Sequence, residues 1–127
     1  MIVIDTHVWI WWASDPEKLS RRAAQEIRRA KQIGVCAISC WEFTTALSKG
    51  RITVDREPLA WLLEALALPS VELLPLSPAV AARANQLGSF HGDPADRMIV
   101  ATTLLESATL ITKDTKIHDY PAIRCVW

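Results

Sequence analysis

The sequence predicts an α/β fold in which helices cover a central, mostly parallel β-sheet. Short apolar segments alternate with segments of helical periodicity along all 127 residues, the order typical of strands joined by helices. The apolar segments are continuous, as expected for strands that are buried on both faces of a parallel sheet. Half of the residues are hydrophobic, so we expect a single domain over residues 1–127 with a core of its own.

Five segments are predicted as strands, in chain order residues 1–4, 35–39, 71–76, 109–112 and 123–127. The first and the fourth lead into related sequences, IVIDT and LITKDT. Asp5 and Asp114 therefore each follow a strand closely. Because the carboxyl ends of parallel strands meet at one edge of the sheet, where ligands bind, these two carboxylates are candidates for a functional site.

The predicted helices cover residues 7–12, 20–32, 58–68 and 78–87, and two more begin at capping sequences. One of these follows the second strand, begins with the S-x-x-E capping box of Ser39 and Glu42, and ends at Gly50. Glu42 would thus lie at a helix N-terminus directly after a strand, although capping alone would explain its presence.

The other capping sequence opens a helix within residues 90–108. Asp93 occupies the N-cap position and Pro94 the first helical position, where its missing N–H costs nothing. Asp96 follows three residues after the cap, on the same face as Asp93. Two carboxylates therefore leave one helix N-terminus, and capping with support from the helix dipole is the alternative to a functional role.

Tryptophans and arginines mark two candidate surfaces. Three tryptophans fall within residues 7–12 and cannot all face one core, and the helix over residues 58–68 is apolar nearly all round. We therefore expect a surface for a partner protein or a second copy, with core packing as the alternative; its residues are Trp9, Trp11, Trp12 and Trp61. The helix over residues 20–32 carries five cations, which either face solvent or contact phosphates: Arg21, Arg22, Arg28, Arg29 and Lys31.

Composition excludes several classes of protein. Lys+Arg and Asp+Glu balance at 14 each, so a polyanion would have to be bound by a local patch or a bound cation. The three cysteines lack metal-binding or disulfide-framework spacing. No leader sequence and no apolar run near the ~20 residues of a membrane helix is present, so we expect a cytoplasmic protein. A P-loop and a G-x-S-x-G elbow are also absent.

Four carboxylates from separate segments could meet at one edge of the sheet: Asp5, Glu42, Asp96 and Asp114. Two like charges ~5 Å apart at an effective dielectric constant of ~20 repel each other by roughly 3 kcal/mol. Several such pairs would rival the ~5–15 kcal/mol of a domain's net stability. Either some of them are protonated or a cation binds, and an all-oxygen set favours Mg²⁺ or Mn²⁺. Such ions activate water and stabilise phosphodiester cleavage.

These acidic positions resemble those of the PIN domain family. The resemblance rests on Asp5 after a hydrophobic strand, Glu42 in SCWE, Asp96 in HGDPADRMIVA and Asp114 in LITKD. The opening DTHVWIWW and the H-x-D-P-x-D-R element are similar to VapC-type toxins of bacterial and archaeal toxin–antitoxin pairs. The resemblance spans essentially the entire chain.

The resemblance implies a PIN-like three-layer α/β/α sandwich with Mg²⁺- or Mn²⁺-dependent endoribonuclease activity. Such proteins are usually homodimers inhibited by a small antitoxin, whose C-terminal segment packs into a hydrophobic groove near the active site. The four carboxylates would form the metal-binding and catalytic set, with one of them orienting or deprotonating the attacking water.

The resemblance also implies supporting roles for neighbouring residues. Asp93 would be a further ligand through water, or only the helix cap. Thr6 and Thr112 would orient neighbouring carboxylates by hydrogen bonds. Arg97 would pair with Asp93 or a phosphate, or lie on a solvated face. His91 would make a structural hydrogen bond.

Two other classes of protein stay open from the sequence. A non-catalytic PIN-like module would bind RNA or protein through the same fold, but would be expected to lack some of the acidic residues. A receiver-like phosphoacceptor domain would need a phosphorylatable Asp at the end of a middle strand, and the segments VCAIS and VELLPLS end without one.

Overall fold

The computed structural model describes residues 1–90 and 92–127 of the chain. His91 lies outside the described residues, so its predicted structural hydrogen bond stays a prediction. The described residues form a sheet flanked by helices on both faces.

The sheet has five parallel strands: β1 (Ile2–Ile4), β2 (Ile33–Cys36), β3 (Val71–Leu74), β4 (Thr109–Ile111) and β5 (Arg124–Val126). They lie in the order β3-β2-β1-β4-β5, and each pair of neighbours is parallel. All five predicted strands are present, with shorter or slightly shifted bounds. The predicted α/β fold with a parallel sheet is therefore confirmed.

The helices are α1 (Thr6–Ser14), α2 (Arg21–Arg29), α3 (Ala37–Ser48), α4 (Pro58–Leu66), α5 (Pro78–Ala84), α6 (Pro94–Leu105) and α7 (Thr115–His118), with a 3-10 turn over Pro16–Lys18. Side chains accept hydrogen bonds at several N-termini, because the first amides of a helix have no partner within it. Ser20 caps α2, Ser77 caps α5 and Asp93 caps α6.

One capping prediction is wrong. Helix α3 begins at Ala37, so Ser39 lies inside its first turn, and the N-cap residue Cys36 makes no side-chain capping bond. Strand β2 ends at Cys36 rather than at Ser39, which lets the helix begin earlier than the S-x-x-E pattern predicts. Ser39 and Glu42 nevertheless share a helix face, because they are three residues apart.

Two hydrophobic cores lie on opposite faces of the sheet. Ile2 and Ile4 point into one of them, which contains residues of α1, α2, α3 and α4. Val3 points into the other, which includes Ile99 and Val100 of α6 and residues of α7. Since successive side chains of a strand alternate between faces, a three-residue strand supplies both cores. The result is the predicted three-layer sandwich.

The aromatic core corrects part of the predicted tryptophan surface. Trp9 is fully buried and Trp61 is only 5% exposed. The ring of Trp61 stacks on Phe43 with centroids 4.0 Å apart and meets Trp9 edge-on at 5.3 Å. The prediction that Trp9 and Trp61 lie at a surface is therefore wrong, because the three rings fill the space between α1, α3 and α4. Trp11 and Trp12 are half-buried.

The order of the strands creates a switch point beside β1. The chain goes from β1 to β2 and β3 on one side, and then returns to place β4 on the other side of β1. In an open parallel sheet, ligands bind outside the carboxyl ends of the strands at such a point. Asp5 follows β1, and Asp114 follows β4. Within the described residues, none of the helices is long and apolar enough to cross a membrane.

The side chain of Leu74 in β3 occupies the space beside Gly34 in β2. A Cβ atom on Gly34 would lie 2.5 Å from Cδ1 and 3.2 Å from Cγ of Leu74. We expect Gly34→Ala to lower the free energy of unfolding by about 1–3 kcal/mol through overpacking, as measured by urea denaturation. The loss should shrink in a Leu74→Ala background, and an equal loss in both backgrounds would contradict this cause.

Candidate active site

Asp5 occupies the centre of the site at the end of β1. Its backbone N–H donates to the carbonyl of Ile111 at 3.0 Å, which continues the β1–β4 ladder by one bond. Its carboxylate is 5% exposed and accepts two hydrogen bonds, one on each oxygen. The Thr6 amide donates to Oδ1 at 2.8 Å, and the Thr112 hydroxyl donates to Oδ2 at 2.6 Å. The side chain of Asp5 is therefore fixed in orientation.

Thr112 connects Asp5 with Asp114. While its hydroxyl donates to Asp5, the same Oγ1 accepts the backbone N–H of Asp114 at 3.1 Å. Asp114 caps α7, and its Oδ1 accepts the N–H of Lys116 at 2.9 Å. His118 Nε2 lies 2.7 Å from the carbonyl oxygen of Thr112, a contact that the sequence did not predict. One threonine thus ties together the acidic ends of β1 and β4.

Thr6 makes the corresponding connection to Glu42. Its Oγ1 lies 2.5 Å from Glu42 Oε1 and 2.8 Å from Ser39 Oγ. A threonine has one hydroxyl proton and an ionised carboxylate only accepts, so whenever Glu42 is ionised Thr6 donates to it and Ser39 donates to Thr6. Ser39 is fully buried. The sequence analysis missed this role of Ser39, although its spacing from Glu42 on one helix face was a signal for it.

Helix α6 brings the remaining carboxylates. Asp93 is exposed and accepts the backbone N–H of Asp96 at 2.8 Å on Oδ1, so the predicted cap is confirmed. Asp96 is half-buried in the first turn of the helix. Its pKa is raised to about 7, chiefly by burial and then by the negative charges of four carboxylates, namely Asp93, Asp5, Asp114 and Glu42.

The charges of Asp5, Asp114 and Glu42 all act on Asp96, so the four predicted carboxylates lie within electrostatic reach of this residue. Burial is the main cause that raises the pKa of Asp5, and Asp114 adds to it while Thr112 and Thr6 oppose it. Burial also raises the pKa of Glu42, where Asp5 and Asp93 add to the effect. Asp5, Glu42, Asp96 and Asp114 therefore form one acidic cluster, although they come from four separate segments.

In the described part of the chain no Lys or Arg forms a salt bridge with this acidic cluster, and His7 only partly opposes the effect of burial on the pKa of Asp5 and Glu42. The salt bridges found there join Lys18 to Asp15, and Arg56 to Asp55 and Glu64. A buried or half-buried set of carboxylates without paired cations is costly. The acidic cluster therefore has the electrostatics of a cation-binding site.

One expectation was that Arg97 pairs with Asp93, and this expectation is wrong. Its guanidinium donates to three backbone carbonyls, those of Gly92 at 3.2 Å, Ala84 at 3.2 Å and Phe90 at 3.0 Å. The reason is geometric: the guanidinium lies between the end of α5 and the segment that leads into α6. Arg97 is half-buried rather than part of a solvated face.

The acidic cluster fits a hydrated divalent cation better than a directly caged one. Among the described residues, no three side chains of Asp, Glu, His or Cys converge closely enough to ligate one ion as they stand. Asp5 and Glu42 are also engaged with threonine groups. Mg²⁺ keeps several waters and is typically bound through one or two carboxylates. An all-oxygen donor set suits this ion, with the other carboxylates acting through water.

A cavity of about 440 Å³ lies away from this site, between the end of α1, the loop before α4 and α4 itself. Its lining includes Arg56 and Trp61 but none of the four carboxylates. The acidic cluster is therefore not the floor of that cavity.

A parallel sheet with an acidic cluster at its switch point defines a class of α/β proteins suited to metal-dependent phosphodiester chemistry. The chain matches the PIN domain over residues 2–123. It belongs to the PIN domain family, as the sequence resemblance predicted.

Individual relatives agree with this assignment. The chain is 39% identical over 129 residues to Ribonuclease VapC22 of Mycobacterium tuberculosis, covering 99% of this chain and 98% of that protein. It shares its fold with the VapBC2 complex from Rickettsia felis bound to a promoter DNA fragment, with a TM-score of 0.73, 18% identity and coverage of 99% and 98%. It also resembles FitAcB from Neisseria gonorrhoeae, with a TM-score of 0.69, 23% identity and coverage of 100% and 97%.

The repulsion within the acidic cluster leads to a stability prediction. The pKa of Asp96 is about 7 in the folded chain and 3.8 as an ordinary carboxyl, so the folded state holds this proton more tightly. The wild type therefore loses stability as the pH rises from about 4 to about 7 and Asp96 ionises.

Asp96→Asn removes this loss, and in EDTA at pH 8 it should raise the free energy of unfolding, on the order of 2 kcal/mol. Chemical denaturation at pH 4 and pH 8 measures the effect, which should nearly vanish at pH 4. The exposed Asp119→Asn serves as the control with little change. A destabilised Asp96→Asn at pH 8 would contradict the argument.

Proposed function

We propose that this protein is a metal-dependent endoribonuclease and the toxin component of a toxin–antitoxin pair. The observation that carries the proposal is the gathering of four carboxylates from four segments, without paired cations in the described residues, at the switch point of a PIN fold. The 39% identity to a protein named Ribonuclease VapC22 over nearly the full length of both chains supports RNA as the substrate.

We propose Asp5, Glu42, Asp96 and Asp114 as the set that holds Mg²⁺ or Mn²⁺. When bound, the cation supplies positive charge for the scissile phosphate and acidifies a water. The chain's own groups hold the geometry: Thr112 orients Asp5 and anchors the backbone of Asp114, and Thr6 orients Glu42. Carboxylates that are already oriented need no rearrangement when the phosphate enters, which lowers the cost of reaching the transition state.

Asp96 supports the reaction from the N-terminus of α6. Its carboxylate faces the negative charges of the other three and lies beside the positive end of the helix dipole. We propose that one carboxylate of the set accepts a proton from, or orients, the water that attacks phosphorus. Asp93 is engaged as the cap of α6 and acts through Asp96 or through water.

The alternative functions weigh less. A non-catalytic PIN-like module would be expected to lose members of the acidic set, and here all four are present and close together. A receiver-like domain does not fit a chain that belongs to the PIN family. The second and third strands also end without an aspartate, at Cys36 and Leu74.

We also propose that the chain acts in the cytoplasm, as a homodimer that binds a small antitoxin protein. Toxin–antitoxin and VapBC complexes among the structures of the same fold support an antitoxin as partner. Large exposed apolar side chains support protein contacts, because such groups are rarely left uncovered; they include Trp41, Leu59, Leu63 and Leu76. The exposed cations of α2 are candidates for phosphate contacts.

The acidic cluster predicts metal-dependent cleavage of RNA by the purified chain, freed from any co-purified partner. With total RNA we expect discrete fragments in Mg²⁺ or Mn²⁺ and none in EDTA. Asp5→Asn and Asp96→Asn should each lower the rate by about 100-fold or more, as measured by fragment formation on gels. Asp96→Asn should stay folded because it removes repulsion. In Asp5→Asn the amide replaces one of the two acceptors of the bonds from Thr6 and Thr112, so circular dichroism checks that this variant is folded.

Asp119→Asn is the matched control and should cleave like the wild type, since Asp119 is exposed and outside the acidic set. Equal cleavage by the wild type and both active-site variants would indicate a contaminating nuclease. Absence of cleavage by a folded, Mn²⁺-binding chain would favour the non-catalytic module.

Self-association is tested separately. Sedimentation equilibrium of the antitoxin-free chain should give the mass of a dimer at micromolar concentration. The exposed apolar side chains supply the expected driving force. A monomer at every concentration up to 100 μM, on the order of the weakest specific interfaces, would contradict the homodimer.

A further inference from the structure

The side chain of Arg97 is engaged in a way that the acidic motif does not explain. Nε donates to Gly92, Nη1 to Ala84 and Nη2 to Phe90, each at 3.0–3.2 Å and each to a backbone carbonyl. Ala84 is the last residue of α5, and Gly92 directly precedes the cap of α6. One guanidinium thus joins two parts of the chain that lie before the acidic helix.

A guanidinium is suited to this arrangement and an ammonium is not. Its donors point in fixed directions within one plane, so it can satisfy several carbonyls at once. The carbonyl of Ala84 lies at the negative end of α5, where a cation is favoured. With its Nε, Nη1 and Nη2 atoms all bonded to carbonyls, Arg97 turns its charge toward the backbone rather than toward a phosphate in the acidic cluster.

Gly92, whose carbonyl accepts a hydrogen bond from Arg97, packs directly against Asp96. A Cβ atom added to Gly92 would lie 2.9 Å from Cβ of Asp96 and closer still to the ring of Phe90. The backbone at Gly92 therefore leaves no room for Asp96 to move toward it. A displacement of Gly92 would therefore move Asp96, the residue on which four other carboxylates act.

Phe90 and Leu87, which precede Gly92 in the chain, contact the side of the site that carries Asp114. The rings of Phe90 and Tyr120 lie with centroids 5.3 Å apart, and the Tyr120 hydroxyl donates to the carbonyl of Leu87 at 2.9 Å. Tyr120 follows α7, the helix that Asp114 caps. Gly92 thus contacts the Asp96 side of the acidic cluster, and Phe90 and Leu87 contact the side that carries Asp114.

We propose that Arg97 is a positioning residue, which fixes the carbonyls of Ala84, Phe90 and Gly92 so that Asp96 stays in register with Asp5 and Asp114. It acts through Asp96 and contacts neither the cation nor the RNA. This role rests on the proposed metal-dependent function of the same site, and it is distinct from the phosphate contact that the sequence motif allowed.

The test compares Arg97→Lys with the wild type in two independent measurements. Mn²⁺ binding is measured by calorimetry without RNA, and kcat and KM are measured with a cleaved RNA at several salt concentrations. We expect Arg97→Lys to weaken Mn²⁺ binding by about 10-fold and to lower kcat at least as much, as for groups that orient metal ligands. KM at saturating Mn²⁺ should change by less than about 2-fold.

A phosphate-binding role would give the opposite pattern. KM would rise, the salt dependence of RNA binding would fall by about one charge, and Mn²⁺ affinity would stay at the wild-type value. That result would overturn the positioning role. Arg83→Lys is the matched control, since Arg83 is an exposed residue of α5, and it should match the wild type in both measurements.

A second variant covers the case in which Arg97→Lys fails to fold. Gly92→Ala keeps the guanidinium but adds a Cβ that crowds both the Phe90 ring and the Cβ of Asp96, so it should weaken Mn²⁺ binding and kcat in the same way. Wild-type values for a folded Gly92→Ala would overturn the proposal. If the wild type itself neither binds Mn²⁺ nor cleaves RNA, the proposed function fails, which is a different result from a variant that matches an active wild type.

Discussion

The mutual repulsion of four carboxylates is the interaction on which the rest of the site depends. Burial is the main cause that raises the pKa of Asp96, and the charges of Asp93, Asp5, Asp114 and Glu42 add to it. Carboxylates held this close would separate if they were free to do so. Three of them are instead tied to backbone or hydroxyl groups: Asp5 by Thr6 and Thr112, Glu42 by Thr6, and Asp114 by the amide of Lys116. The concentrated negative charge lowers the free energy of unfolding, and a bound divalent cation would raise it again.

The parallel sheet makes the acidic cluster possible. A strand that is buried on both faces ends abruptly at the layer boundary, so the first polar residue after it lies at the edge of the sheet. Asp5 occupies that position after β1. The switch in strand order puts β4 beside β1, and Thr112 then lies near enough to donate to Asp5. A single hydroxyl spans the junction because the two strands are already hydrogen-bonded neighbours.

The two threonines and Arg97 have different roles beside the acidic cluster: the threonines orient carboxylates, and Arg97 fixes the neighbouring backbone. Thr6 and Thr112 supply neutral donors, which orient carboxylates without cancelling the charge that attracts a cation. A nearby lysine or arginine aimed at the acidic cluster would compete with that cation. Arg97 follows Asp96 directly in sequence, yet its charge is directed to carbonyls of Ala84, Phe90 and Gly92. The acidic cluster thereby keeps its negative potential while the backbone beside it is fixed.

The sequence by itself determined the α/β class, the five strands, the helix start at Asp93 and Pro94, and the four acidic positions, because strand burial and capping depend on local patterns. Only the tertiary structure decided which side chains meet. The S-x-x-E pattern predicted a cap, but β2 ends early and Ser39 instead bonds to Thr6. Trp9 and Trp61 were predicted at a surface, but both are buried because they pack against Phe43, which is distant in sequence. The partners of Arg97 were equally hidden, since hydrogen bonds and packing between distant segments depend on their arrangement in space, which local periodicity does not encode.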